Sequence, residues 1–271
     1  MKTKTISNQT NTYGEDFPDR LMDSPHRIIA TQADYPDGLS YPFHHHPPIQ
    51  FLYASEGVMT VTTPQGIWVV PPFRGVWIPS ETKHQIFAPG HLSLRSLYIR
   101  PKTICDLPTQ CCVASVPPLL RELILHAAEF PVDYLHNSPE ERVMDVILDM
   151  IQALDTAPLQ LPVPQDERLL KITAHIIQNP ACQRRLDEWG HIIGATSRTL
   201  TRLFHKETGM SFSQWRQQAR LLEALRQLAC GESVTSVAMN LGYDSVSAFV
   251  AMFRKNLGST PGQYFNSPPY K

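Results

Sequence analysis

Two stretches of ten residues decide how the second half of this 271-residue chain folds: Leu200-Thr201-Arg202-Leu203-Phe204-His205-Lys206-Glu207-Thr208-Gly209 and Phe249-Val250-Ala251-Met252-Phe253-Arg254-Lys255-Asn256-Leu257-Gly258. An offset of 49 residues pairs Leu200 with Phe249, Leu203 with Met252, Phe204 with Phe253 and Gly209 with Gly258, and continues to Trp215 and Tyr264. Upstream the offset is 48, pairing Trp189 with Val237, Gly190 with Ala238, Ile193 with Leu241 and Gly194 with Gly242. One extra residue therefore sits in the turn of the second copy.

Each copy reads as helix, glycine-containing turn, helix, over about 186–207 and 234–256. In the first, Thr196 is placed to cap a helix on which Leu200, Leu203 and Phe204 share one face. Arg198, Thr201, Arg202 and His205 follow the i, i+3, i+4, i+7 spacing of the opposite face. An apolar back holds such a helix to its domain while the polar front is free to enter a major groove, where an arginine can clamp guanine O6 and N7. In the second, Ser245 is the cap and Phe249, Met252 and Phe253 form the back, with Ser247, Val250, Ala251 and Arg254 in front. That front is largely apolar, so it suits thymine methyls or positional contact better than hydrogen-bonded readout. Between the copies, Ser211 to Ala229 predicts one long helix, capped by Ser211 and stopped at Cys230-Gly231.

The segment Leu200 to Gly209 resembles the AraC/XylS family of transcription regulators, as do the Leu241-Gly242-Tyr243-Asp244-Ser245 turn and Phe253-Arg254-Lys255 followed by Gly258-Ser259-Thr260-Pro261-Gly262-Gln263-Tyr264. The likeness covers Asp166 to about Phe265. It implies an all-α domain with two DNA-binding motifs that acts at promoters, usually by contacting RNA polymerase. By position, Arg198, Thr201 and Arg202 carry over as base readers of the first motif, and Ser247, Val250 and Ala251 of the second. Ala251 is a departure, since many members have Arg there.

Charge distribution agrees with this division. Residues 1–165 carry 11 Lys+Arg against 17 Asp+Glu, and residues 166–271 carry 13 against 8, so only the second part is suited to approach phosphate. Met1 to Thr12 is polar, and no apolar run reaches the roughly 18 residues of a membrane span. The expectation is a cytoplasmic protein with no membrane contact. The five cysteines, Cys105, Cys111, Cys112, Cys182 and Cys230, contain no CxxC pair, which argues against a disulfide framework or a structural zinc site. Cys111-Cys112 is either an incidental pair of thiols or a sensor of oxidants or thiophilic metals.

From Tyr41 to Ile99 the chain reads as short strands, Gln50–Ala54, Val58–Thr62, Trp68–Val70, Val76–Ile78, Gln85–Ala88 and Leu92–Ile99, separated by turn residues. The expected architecture is multidomain, α and β: a cupin-like β-barrel over 1–118, a helical dimerisation segment over 119–155, a stiff proline-containing linker over 156–165, and the DNA-binding domain over 166–271. Ser138-Pro139-Glu140-Glu141 predicts a helix start. Beyond it Val143, Ile147, Met150 and Leu154 form a stripe that suits either packing on the barrel or a homodimer seam.

The barrel carries its own candidate site. Gly38, His44, His46, Gln50 and Gly57 have the spacing of the first cupin motif, with Gln50 where a metal-binding cupin usually has Glu. Pro79, Glu81 and His84 resemble the second, with Glu81 replacing the usual Gly. His44, His46, Gln50 and His84 are thus candidates either for a first-row divalent metal or for an organic effector. Trp77, with Trp68, Phe51, Tyr53 and Phe87, is a candidate either for the lining of an apolar effector pocket or for core. No cofactor other than such a metal is expected. The leading reading is a non-enzymatic, effector-responsive regulator, and the alternative is a cupin metalloenzyme with an appended DNA-binding domain.

Overall fold

The computed structural model describes residues 24–103, 108–157 and 159–266. Cys105 lies outside them, as does the segment Met1 to Thr12. The described residues form two compact units, the first drawn from 24–59, 72–103 and 108–157, the second from 60–71 and 159–266. Among the described residues eleven strands run in chain order: β1 (Ile28–Tyr35), β2 (Leu39–His44), β3 (Ile49–Glu56), β4 (Met59–Thr63), β5 (Gly66–Val70), β6 (Arg74–Ile78), β7 (His84–Ala88), β8 (Leu92–Ile99), β9 (Cys112–Ser115), β10 (Thr156–Ala157) and β11 (Gln160–Pro162).

The strands are arranged as two sheets, of six and five strands, and not as a closed barrel. Closure would need the edge strands to pair with each other, whereas the six-stranded sheet runs β1-β8-β3-β6-β9-β10 and ends on a strand of two residues. Its centre, β3, lies between β8 and β6 and is buried along Ile49 to Ala54. Side chains alternate across this sheet. Phe51, Tyr53, Trp77, Leu97 and Ile99 share one face, and two helices, α1 (Pro118–Ala127) and α2 (Pro139–Gln152), cover it with Leu120, Ile124, Met144, Ile147, Leu148 and Ile151. Gly75 is required here: a Cβ would lie 2.2 Å from the Phe51 ring.

Ser138 caps α2 as expected, accepting from the Glu141 amide. The stripe Val143, Ile147, Met150 and Leu154 packs against the chain's own core, with Ile147 fully buried. Val143, Met150 and Leu154 are only half-buried.

In the second unit, the segment expected to be a linker is paired over part of its length: β11 hydrogen-bonds β5, with Leu161 opposite Ile67. Proline cannot donate to a ladder, yet Pro162 stands at an edge where its carbonyl is used, accepting from Trp215 Nε1 at 2.8 Å. In the first unit, β10 likewise pairs β9. The remainder of the second unit is helical: α3 (Glu167–Gln178), α4 (Leu186–Ile193), α5 (Ser197–Thr208), α6 (Phe212–Ala229), α7 (Val234–Asn240), α8 (Val246–Leu257) and α9 (Pro261–Asn266). The sequence repeat is a structural one. Leu200 and Phe249 are buried at equivalent places, as are Phe204 and Phe253 and, further on, Trp215 and Tyr264. Gly194 and Gly242 both have left-handed backbone, as do Gly209 and Gly258. No helix among the described residues is long and apolar enough to cross a membrane.

Candidate functional site

The two recognition helices are built alike. Thr196 Oγ1 accepts from the Thr199 amide at the start of α5, and Ser245 Oγ accepts from the Ala248 amide at the start of α8, both at 3.2 Å. These caps satisfy helix-end donors and set where each helix begins. On α5, Leu200 and Phe204 are buried, whereas Arg198, Thr201, Arg202 and His205 are exposed. Neither Arg198 nor Arg202 makes a hydrogen bond or ion pair to a described residue, and with Thr199 and Thr201 they line a shallow concavity. The Thr201 hydroxyl donates to the Ser197 carbonyl at 2.8 Å. On α8, Ser247, Ala251 and Arg254 are exposed and Val250 is half-buried; they share a mostly apolar depression with Val246, Lys255 and Thr260.

The turns explain one asymmetry of the repeat. In the first copy a Cβ on Gly190 would lie 2.5 Å from the Ala195 carbonyl oxygen, because the turn from Gly194 to the cap Thr196 holds one residue. The second copy has two residues between Gly242 and the cap Ser245, and there the equivalent position is the buried Ala238.

The second site lies in the first unit. His44 and His84 are cross-strand partners on β2 and β7, after a register shift between Tyr41 and His44. His46, just beyond β2, is buried with its ring centroid 5.8 Å from that of His44 and 5.2 Å from that of His84. Each ring places Nδ1 beside a backbone carbonyl: Pro42 at 2.9 Å for His44, Pro48 at 2.9 Å for His46 and Thr82 at 2.8 Å for His84. A carbonyl only accepts, so Nδ1 carries the proton in each ring and the lone pair is on Nε2. Burial pushes the His84 imidazole down to about 3 and also lowers His44, so both are neutral near pH 7.

Gln50 joins this cluster, its Oε1 3.2 Å from His46 Nε2. Trp77 does not. It is the partner of Phe51, on the opposite side of the sheet from Gln50, where it packs under the helices and donates Nε1 to the Pro108 carbonyl at 2.9 Å. Phe51 and Tyr53 are core for the same reason, and Phe87 is exposed. His45 faces away and donates to Glu81 at 2.8 Å. Glu81 has φ 58, a left-handed backbone that favours glycine, the residue usual at this place of the cupin motif.

Tyr98 and Tyr41 belong to the cluster and were not legible as members. Tyr98 lies across from Gln50 on β8, its ring 5.7 Å from that of His46, and Tyr41 packs edge-on against His44 at 4.5 Å. Strand register, not spacing, brings them in. The thiol pair is placed poorly for redox sensing: burial raises Cys112 and pushes Cys111 up to about 12, leaving little thiolate.

A pair of helix-turn-helix units with free cations on their outer faces, joined in one chain to a sheet domain with a buried polar cluster, defines a DNA-binding transcription regulator with a ligand-binding domain. Residues 28–124 match the model of the AraC-like ligand binding domain, and residues 189–267 match a helix-turn-helix domain model. The HTH-type transcriptional regulator NimR of Escherichia coli is 37% identical over 228 residues, 84% of this chain and 83% of that protein. The chain belongs to the AraC/XylS family of transcription regulators. The uncharacterized HTH-type transcriptional regulator YobQ of Bacillus subtilis is 25% identical over 264 residues, 91% of this chain and 97% of its own. Among solved structures, ToxT of Vibrio cholerae aligns over 89% of this chain and 98% of its own, at 9% identity and a TM-score of 0.38.

Proposed function

We propose that this protein regulates transcription in the cytoplasm by setting α5 and α8 into successive major grooves of promoter DNA, with its output governed by an effector bound in the first unit. The observation that carries this reading is the state of Arg198 and Arg202: both are exposed and unpaired within the described residues, on a helix whose other face is buried. An arginine held in that way keeps its planar donors for guanine. In this reading Arg198, Thr201, Arg202 and His205 read bases. Ser247, Val250 and Ala251 contact thymine methyls or fit the groove by shape, while Arg254 holds phosphate.

The first unit senses and does not catalyse in this reading, and the regulator works as a homodimer that contacts RNA polymerase. Its effector changes output only through a difference in affinity between two arrangements of the protein. In this reading the dimer seam draws on the half-buried Val143, Met150 and Leu154, which also pack against the chain's own core.

Genome-wide capture of bound DNA tests the proposal, with wild-type protein beside the Arg198→Ala/Arg202→Ala double variant. A few promoter-proximal sites should be enriched by the wild type and lost in the variant, each arginine contributing about 1 to 3 kcal/mol of discrimination. An unchanged pattern of sites in a folded variant would remove both arginines from base readout.

A further inference from the structure

We infer that His44, His46 and His84 bind one divalent cation of borderline softness, of the zinc, cobalt and nickel class, inside the ligand-binding unit. One ring nitrogen from each histidine lies within 4.8 Å of the others, and these are the only residues among those described that meet as a possible metal-binding group. Three further features give it direction.

First, the outer nitrogen of every ring is already committed. Nδ1 of all three lies 2.8 to 2.9 Å from a main-chain carbonyl, which fixes both the tautomer and the ring plane. This is the second layer of contacts that orients imidazoles as ligands through Nε2.

Second, the inner nitrogens of His84 and His46 lack what a neutral acceptor needs. His84 Nε2 is fully buried and has no hydrogen-bond partner among the described residues. Such an atom destabilises a fold unless something occupies its lone pair. His46 Nε2 faces Gln50 Oε1 at 3.2 Å, which sets two acceptors against each other. Amide rotation relieves that contact for one pair, but a cation relieves it and takes the His84 lone pair as well.

Third, the donors select the ion. Among the described residues no carboxylate enters the cluster, and Glu81 is turned away onto His45. Hard cations such as magnesium, calcium or manganese depend on carboxylate and carbonyl oxygen, whereas imidazoles suit zinc, nickel and copper. A neutral set of three imidazoles, with the Gln50 amide beside it, leaves the ion its full double charge in a buried place, so an anionic fourth ligand would be drawn to it.

The experiment uses full-length protein freed of any affinity tag, stripped with chelator and titrated with Co²⁺ while visible absorption and bound-metal content are followed. One equivalent per chain is expected, with the ligand-field bands of nitrogen coordination. His84→Gln and His44→Gln should each weaken binding on the order of 10- to 100-fold or more. His45→Ala should leave it unchanged. Gln50→Glu adds a negative donor and should tighten it, and this variant decides the question if the histidine variants fail to fold. The inference is overturned if the wild type takes up no Co²⁺, if His84→Gln binds as the wild type does, if Gln50→Glu brings no gain, or if a thiolate-to-cobalt charge-transfer band places the ion on cysteine. DNA capture with the arginine variants is read separately, so failure at one site does not imply failure at the other.

Discussion

Gly190 shows how one residue can be forced by the length of a neighbouring turn. Two effects oppose each other in Gly190→Ala. A helical alanine gains up to about 1 kcal/mol over glycine, while its Cβ would have to enter within 2.5 Å of a backbone oxygen. Overpacking of this kind costs about 1 to 3 kcal/mol, and a main-chain carbonyl in a one-residue turn has little room to retreat. The variant is therefore expected to melt several degrees lower than wild type. Ala238→Gly, its counterpart in the longer-turned copy, should lose only about 0.5 to 1 kcal/mol, the ordinary cost of a helical glycine. A higher melting temperature for Gly190→Ala would refute the turn-length explanation. At this scale the sequence showed the pair Gly190 and Ala238 and the extra residue downstream, but not that the two facts are one, because the contact joins a helix to the carbonyl of a later turn.

The recognition helices were legible as elements because caps, periodicity and stop signals all lie within one helix length. Thr196 and Ser245 were identified as caps from position alone, and each accepts the expected amide. Replacing either with Ala should cost about 1 kcal/mol, within a range of roughly 0.5 to 2. Thr196→Ser should be nearly neutral. Denaturant unfolding of the three variants measures this, and equal stability of Thr196→Ala and wild type would show that the cap contributes nothing. The helix at 139–152 was equally legible in extent, but its role was not. The stripe Val143 to Leu154 fits a neighbouring helix or a sheet equally well, and only the position of Phe51, Tyr53 and Trp77 beneath it shows that it packs on its own sheet. Short strands were harder. β9, β10 and β11 have two to four residues, too few to show an alternation, and they exist because a neighbouring strand offers them partners.

For the whole molecule, net charge is a coarser guide to DNA binding than the commitment of each cation. In the second unit Arg168 is paired with Asp166 and Arg226 with Glu223, while Arg220 donates to the carbonyls of Pro180 and Cys182. Arg198, Arg202, Lys206, Arg254 and Lys255, all on α5 or α8 and all exposed, make no hydrogen bond or ion pair to a described residue. A handful of cations, some on bases and some on phosphate, predicts that the logarithm of the DNA-binding constant falls with the logarithm of salt concentration at a slope of about −3 to −5. Fluorescence anisotropy on a captured site, repeated across salt concentrations, gives this slope. A value near zero would show that these groups do not meet the phosphate backbone. Lys206→Ala and Lys255→Ala should each reduce it by about 1 if they hold phosphates.

By itself the sequence determined the repeat, the buried and outer faces of both recognition helices, the family, and the three histidines as a group. All of these rest on residues close enough in the chain for helical period, cap or motif spacing to relate them. Only the tertiary structure decided that the strands form two sheets without closing, that Trp77 is core, that Tyr98 and Tyr41 flank the histidines, and that the proline segment extends a sheet. Those facts depend on which strand lies beside which. A strand's side chains alternate between two faces, and nothing local says which face meets the helices and which meets the polar cluster until the neighbouring strand sets the register.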